Sequence, residues 1–308
     1  MEKRLGDSIN EWLRLYKRNS VKEATYDRLR ISLGLLERDE IADYLPSELR
    51  CNDIQSYLNR LVQQGYSEST VKKQYTLLTA FLKHQAAIGE SKNLVYLGVN
   101  LPKSLGSHTD GRAIDIYSDA EQVRLKRVLS KVDHIAYLAV ILMMEAGLRI
   151  GEALALEWTD ILWSRRAVRI NKTLVRLSDQ NGLTFVQNSA KTKTSNRIVP
   201  LSAYAMDILR RVAPDDCRGY IFSDCKDDDI PMSYATTQYH VRKACDEADV
   251  EYKGMHAFRH TFATNCYHKG CDVKILSKLL GHAKVSITYD IYIHLYGDAL
   301  EEMRSVID

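Results

Sequence analysis

M-H-A-F-R-H at 255–260 and L-L-G-H-A-K-V-S-I-T-Y-D-I-Y-I-H at 279–294 decide how this chain is read. The second stretch completes a short helix, V-K-I-L-S-K-L-L, which Asp272 caps and Gly281 ends, and opens another that Ser286 caps. His256, Arg259 and His282 gather basic side chains around that joint, and Tyr292 follows His282 by ten positions. A phenol of ordinary pKa, about 10, is a weak nucleophile until something stabilises its anion. Cations around a phosphate do so, and they also offset the charge that builds on the non-bridging oxygens. The pattern predicts attack of a tyrosine on a phosphodiester.

Working outward, arginine suits such a site because its planar fork binds two phosphate oxygens and keeps its charge. A second arginine is expected beside Arg259, and E-A-G-L-R-I-G-E (145–152) offers Arg149, with Glu152 one turn later to pair with a cation or orient it. Taken alone, Arg149 reads as a surface cation or an ion pair with Glu152, and His256, His260 and His282 read as core or capping histidines. A basic hairpin, A-K-T-K-T-S-N-R-I-V-P-L (190–201), lies between the arginines and offers Lys191 or Lys193 as general acid for a departing 5′-hydroxyl.

Three blocks in this order resemble the catalytic domain of the tyrosine recombinases, or phage-integrase family, over about 118–294. They are A-G-L-R-I-G-E-A-L-A-L-E-W-T-D-I (146–161), the K-T-K-T-S-N-R-I-V-P-L hairpin, and the histidine–arginine–tyrosine stretch above. The resemblance implies strand cleavage by tyrosine, a 3′-phosphotyrosyl intermediate, and rejoining with no metal, ATP or other cofactor. It makes Arg149 and Arg259 the phosphate clamp and Tyr292 the nucleophile, in preference to Tyr289. His256 and His282 become phosphate ligands and proton-transfer partners, Glu152 a supporting residue, and Lys191 the general acid with Lys193 as alternative. Glu145 departs from the small hydroxyl or apolar residue common there, with an effect expected on packing alone. The hairpin is more similar to mobile-element integrases than to Xer-type resolvases.

Composition is compatible with this reading. The 308 residues suit two modest cores, and a net charge of +3 makes any DNA-binding surface a local patch balanced by acidic stretches such as D-C-K-D-D-D (224–229). The start lacks an apolar secretory segment, and the longest apolar run, I-A-Y-L-A-V-I-L-M-M (135–144), is too short for a membrane span of roughly 20 residues. The expectation is a cytoplasmic protein, with that run as a buried helix. Six cysteines without disulfide spacing fit a reduced compartment. Cys266 and Cys271 near His268 lack the C-x-x-C of a zinc site, so no metal is expected and Cys266 is read as a buried thiol.

Four helical segments precede the catalytic region. Ser8 is read as N-cap of the first, with Glu11 completing a capping box and Ile9, Trp12, Leu13 and Tyr16 as its apolar stripe. Thr25 caps the second, Asn52 or Asp53 opens the third, and Gly65 ends it. The fourth (67–89) places Val71, Tyr75, Leu78 and Leu82 in register. This bundle resembles the family's SAM-like core-binding domain, without an additional arm-binding domain before it. Its Lys72, Lys73 and Lys83 are candidate DNA-phosphate contacts or parts of a solvated face.

The fold expected is mainly α with one small antiparallel sheet, as a core-binding domain at 1–104, a linker at 105–116 and a catalytic domain at 117–308. Strands are placed at 167–173, 183–188 and 196–201. Leu300, Met303 and Ile307 would make an apolar face on a terminal helix. The family implies that such a tail docks on a neighbouring protomer, giving a homotetramer on two paired double-stranded DNA sites. A directionality factor or DNA-bending protein is a further partner left open. The alternatives are a catalytically silent DNA-binding accessory protein and a type IB topoisomerase.

Overall fold

A computed structural model describes residues 2–90, 94–102, 115–179, 182–189, 196–224, 227–282, 284–286 and 288–289. The apolar periods of the N-terminal region become α1 (Leu5–Trp12), α2 (Glu23–Leu36), α3 (Cys51–Gln63) and α4 (Glu68–Ala87). Ile9, Trp12 and Leu13 pack with Leu58, Leu78 and Leu82 in one core. Tyr16 leaves the expected stripe and is 47% exposed. The chain widens into a π turn over Leu13–Lys17, whose longer hydrogen-bond spacing rotates the following side chain off the apolar face.

The helix starts also differ from expectation. Both α1 and α2 begin earlier, after Arg4 and Lys22, with no side-chain cap. Asp7 and Glu23 in their first turns face the positive end of the helix dipole instead. Ser8 therefore lies inside α1, its Oγ donating to the Lys3 carbonyl at 3.2 Å, and Glu11 pairs with Lys3 at 2.7 Å. Thr25 lies inside α2. Asp53 closes the start of α3 by accepting from the Arg50 N–H at 2.8 Å.

The chain divides into two compact units, Met1–Asp110 with Leu177–Thr184, and Gly111–Arg176 with Phe185–Asp308. In the second, Ser118 and Glu121 form a reciprocal cap on α5 (Asp119–Leu129). Helix α6 (Ala136–Ala146) is apolar and buried at every position but Glu145, as a helix surrounded by others requires. It packs against α5, α7 (Ile150–Leu154), α8 (Ala203–Val212), α9 (Tyr234–Glu247) and α10 (Met255–His268). Helix α11 (Val273–Leu280) lies against α10, starting where Asp272 accepts from the Lys274 and Ile275 N–H groups. Helical backbone resumes by Val285, so Ser286 sits within that first turn and is not its cap.

The strands are β1 (Ile161–Leu162), β2 (Ala167–Ile170), β3 (Lys172–Asp179), β4 (Gly182–Ser189), β5 (Arg197–Pro200), β6 (Ser223–Asp224) and β7 (Asp227–Pro231). The expected small antiparallel sheet is β1-β2-β5, and among the described residues two two-stranded ribbons, β3-β4 and β6-β7, stand beside it as separate pairs. Of the 190–201 segment, the described strand β5 does not pair with β4. It pairs with β2 from Ala167↔Pro200 to Ile170↔Arg197, because Val168 and Val199 are both buried against the α6 core. No helix among the described residues is long and apolar enough to cross a membrane.

Candidate active site

The turn after α6 sets the first arginine. Gly147 ends the helix at φ +64°, a conformation favouring glycine, and a Cβ there would lie 2.4 Å from the Phe262 ring. Leu148 is buried, and Arg149 then takes the N-cap position of α7 in extended backbone. Glu152, at the third helical position, accepts from the Arg149 N–H at 2.9 Å and from Arg149 Nη1 at 2.9 Å. The G-L-R-I-G-E sequence is thus a local device that turns the chain and fixes an arginine against a carboxylate.

Helix α11 gathers the other cations. Its C-terminal carbonyls have no partners within the helix and carry the negative end of its dipole. Three arginines from three elements take them in succession. Arg197 of β5 donates Nε to the Leu279 carbonyl at 2.6 Å, Arg259 of α10 donates Nη2 to Leu280 at 2.7 Å, and Arg149 donates Nη2 to Gly281 at 3.3 Å. Arg259 also donates Nη1 to the Gly147 carbonyl at 2.7 Å, tying the two turns together.

Glu152 is the counter-charge at the centre. Besides Arg149 it receives Nη1 and Nη2 of Arg197 at 3.1 and 2.8 Å, and Arg259 Nη1 lies 3.9 Å away. Burial opposes ionisation of this carboxyl, yet Arg197, then Arg149, hold it down at about 2. Arg197 and Arg259 keep only 7% of their side chains exposed, against 38% for Arg149.

His282 follows Gly281, which is held at φ +66°. Its Nε2 lies 2.9 Å from Arg259 Nη2 and its Nδ1 2.8 Å from the Oγ1 of Thr288, a fully buried residue. Guanidinium only donates, so Nε2 accepts and Nδ1–H donates to Thr288. Burial, then Arg259 and Arg149, push this imidazole down to about 4. His256 stands exposed in the first turn of α10, its pKa lowered by desolvation and then by Arg259 and Arg149. Half-buried His260 meets it edge to face at 6.5 Å.

Arg149, Glu152, Arg259 and His282 therefore meet in one cluster, with His256 on the adjoining helix turn. Arg197, for which no role was expected, meets Glu152 through both terminal nitrogens, and Thr288 holds the far side of His282. Tyr289 is described and 47% exposed. Tyr292, Lys191, Lys193, the tail with Leu300, Met303 and Ile307, and most of the expected linker lie outside the described residues. In the N-terminal unit, Lys72, Lys73 and Lys83 are exposed on α4, and Lys83 Nζ sits 5.6 Å from the Tyr96 ring centroid. Glu145 does more than pack, since it pairs with Lys126 at 2.6 Å. Cys266 is half-buried beside α11, and burial pushes its thiol up to about 11.

Fixed guanidinium groups around one carboxylate, beside neutral imidazoles, make a site for a phosphate oxyanion. Residues 116–298 match the phage integrase family. The chain belongs to this family, the tyrosine-type site-specific DNA recombinases. It is 29% identical to a tyrosine recombinase XerC-like protein of Caldanaerobacter subterraneus subsp. tengcongensis, over 94% of this chain and 79% of that protein. It is 23% identical to the integrase of Staphylococcus phage L54a, over 93% and 87% of the two chains. The fold matches the Tn1549 transposon integrase solved with transposon right end DNA, at a TM-score of 0.80 and 21% identity over 99% of this chain and 100% of that one.

Proposed function

We propose that Tyr292 is the nucleophile of this recombinase and that Arg149 and Arg259 are its phosphate clamp. The Tyr292 oxygen attacks a DNA phosphorus, a P–O bond to tyrosine forms, and the bond to the 5′-oxygen breaks. The phenolic proton passes to a neutral imidazole, with His256 in the exposed position to take it. The departing 5′-oxygen receives a proton from Lys191, or from Lys193 if the turn is shifted by one residue. Rejoining reverses these steps with a 5′-hydroxyl from another strand. The observation that carries the reading is the convergence of Arg149, Arg259 and His282 on the end of α11.

Tyr292 is preferred over Tyr289 because its spacing of ten positions after His282 is the one the family resemblance implies for the nucleophile. The N-terminal unit is assigned to DNA binding through α4, with Lys72, Lys73 and Lys83 at phosphates. The assembly proposed is a homotetramer on paired double-stranded sites, linked by the C-terminal tail.

The test is covalent trapping. Wild type, Tyr292→Phe and Tyr289→Phe are incubated with fragmented, nicked host DNA, and adducts that survive denaturation are recovered and sequenced. The expected result is an adduct with wild type and Tyr289→Phe that Tyr292→Phe abolishes. Loss with Tyr289→Phe alone would overturn the assignment of the nucleophile. No adduct from any of the three would favour a binding-only protein.

A further inference from the structure

We propose that Lys172 is a positioning residue for the general acid: held between Glu157 and Asp160, it fixes the root of the β3-β4 ribbon so that Lys191, just past the end of β4, meets the departing 5′-oxygen. The inference rests on the reading of Lys191, or Lys193, as that acid.

Lys172 opens β3 two residues before Leu174, and alternate residues of a strand share a face. Leu174 is buried in the α6 core, yet at Lys172 the same face carries an ammonium whose side chain is 15% exposed. Its Nζ lies 2.5 Å from Glu157 Oε1 and 3.1 Å from Asp160 Oδ2. Burial opposes this charge, but hydrogen bonds to Glu157 and then Asp160 raise the pKa above its ordinary value. The two carboxylates belong to one turn, in which the Glu157 N–H donates to Asp160 Oδ2 at 3.1 Å and Trp158 between them is buried. An ion pair taken out of water gains little net stability, so its value here is in register. A slip of one residue would carry Lys172 off both carboxylates and Leu174 out of the core.

A second contact ties the same root to the turn that sets Arg149. Gly151 of α7 lies so close to β3 that a Cβ would come 2.7 Å from both Thr173 Oγ1 and the Leu174 carbonyl oxygen. Strands β3 and β4 are paired, and the two residues between them permit only an antiparallel hairpin. Both strands have eight residues, so the end of β4 at Ser189 lies at the anchored root of the ribbon. Lys191 follows Ser189 by two positions, a length of chain that spans at most about 7 Å.

The experiment uses the duplex recovered in the wild-type adduct, made with either the natural 5′-oxygen or a bridging sulfur at the scissile phosphate. When the P–O bond breaks, the 5′-oxygen takes the proton of the acid. When the P–S bond breaks, the sulfur keeps the electron pair as a thiolate, and with an ordinary thiol pKa of about 8.5 it leaves without a proton. Single-turnover cleavage is measured for wild type, Lys172→Gln, Lys172→Arg, Lys191→Ala, Lys193→Ala and Lys172→Gln combined with alanine at the acid, with folding checked by thermal melting. Whichever single alanine variant loses cleavage at oxygen but keeps it at sulfur marks the acid. Lys172→Gln should slow cleavage at oxygen about tenfold or more, and at sulfur less than threefold. Lys172→Arg keeps the charge and should recover most of the loss. Added to alanine at the acid, Lys172→Gln should cost less than about threefold further, since a residue that acts through another adds little once that one is gone.

A folded Lys172→Gln that cleaves oxygen and sulfur duplexes equally slowly would overturn the inference, because a merely structural loss strikes both alike. So would oxygen cleavage close to wild type, or a full additional loss in the double variant. If Lys172→Gln does not fold, Glu157→Ala decides, at a side chain 36% exposed. It should slow cleavage at oxygen and spare sulfur, and equal effects on both would refute the role. If neither alanine variant separates oxygen from sulfur, or wild type forms no adduct, the parent reading of a lysine acid fails and this inference falls with it.

Discussion

Arg259 Nη2 and His282 Nε2 meet at 2.9 Å, and an always-charged guanidinium can hold that contact only if the imidazole is neutral. The proton on His282 is therefore confined to Nδ1, facing Thr288. Burial, then Arg259 and Arg149, bring the group from an ordinary 6.5 to about 4. The folded chain thus binds this proton less readily than the unfolded chain. Stability from His282 is complete above about pH 6.5 and is lost as pH falls toward 4, by at most about 3 kcal/mol. Urea unfolding at pH 7, 5.5 and 4.5 should show this loss in wild type, with a shallower slope in His282→Gln. Equal slopes would mean that His282 does not titrate in this window.

A phosphate oxygen near Arg259 and His282 reverses that balance, because a nearby anion favours the imidazolium. DNA binding at pH 5.5 should take up a proton, detected as a buffer-dependent binding heat, and His282→Gln should reduce the uptake. Buffer-independent heats in wild type would place the phosphate away from His282.

Glu152 titrates lower. Held at about 2 against an ordinary 4.5, it contributes stability that is present above pH 4.5 and lost as pH falls toward 2. Removing it leaves arginines facing one another, two of them with only 7% of their side chains exposed. Breaking a buried ion pair on one side costs about 3–5 kcal/mol. Glu152→Ala should lower the denaturation midpoint accordingly, and a change under 1 kcal/mol would mean that water screens the cluster.

The parts of this site that were readable in the sequence are those built by neighbours along the chain. Arg149 and Glu152 are three residues apart, and Asp272 and Gly281 bracket α11 by local capping alone. Arg197 was visible as a letter in T-S-N-R-I-V-P-L, but its partner Glu152 lies 45 positions away. A buried arginine cannot be told from an exposed one until β5 is known to pair with β2 rather than β4. The misplaced starts of α1 and α2 have the reverse cause. Ser8 and Thr25 are good capping residues in isolation, but the packing of Leu5 in the core begins α1 a turn sooner.

Gly147 and Gly270 separate backbone strain from crowding. Both have positive φ, +64° and +78°, but a Cβ at Gly147 would strike the Phe262 ring whereas at Gly270 it would meet nothing within 4 Å. Gly270→Ala should cost about 1–2 kcal/mol from the left-handed backbone alone. Gly147→Ala adds overpacking of about 1–3 kcal/mol. Because the Gly147 carbonyl receives Arg259, cleavage should also fall in Gly147→Ala and not in Gly270→Ala. Equal stability losses in the two variants would show that the Phe262 ring yields.

Thr288 tests whether orientation of His282 matters to the chemistry. The residue is wholly buried and its only atom suited to the imidazole is Oγ1, 2.8 Å from Nδ1. Valine has nearly the same shape, so Thr288→Val removes the acceptor while filling the space. The Nδ1–H is then left unpaired in a half-buried position, at about 1–3 kcal/mol. The ring loses the contact that holds its proton on that nitrogen, and its alignment with Arg259 loosens. Cleavage should drop by about tenfold or more, in line with losses when the partner that orients a histidine is removed. Thr288→Ser, which restores the hydroxyl but leaves a methyl-sized gap, should recover most of the rate while being less stable than wild type. That crossing of activity and stability separates orientation from packing. If cleavage follows stability instead, so that Thr288→Val outperforms Thr288→Ser, Thr288 is a packing residue and His282 is aligned by Arg259 alone.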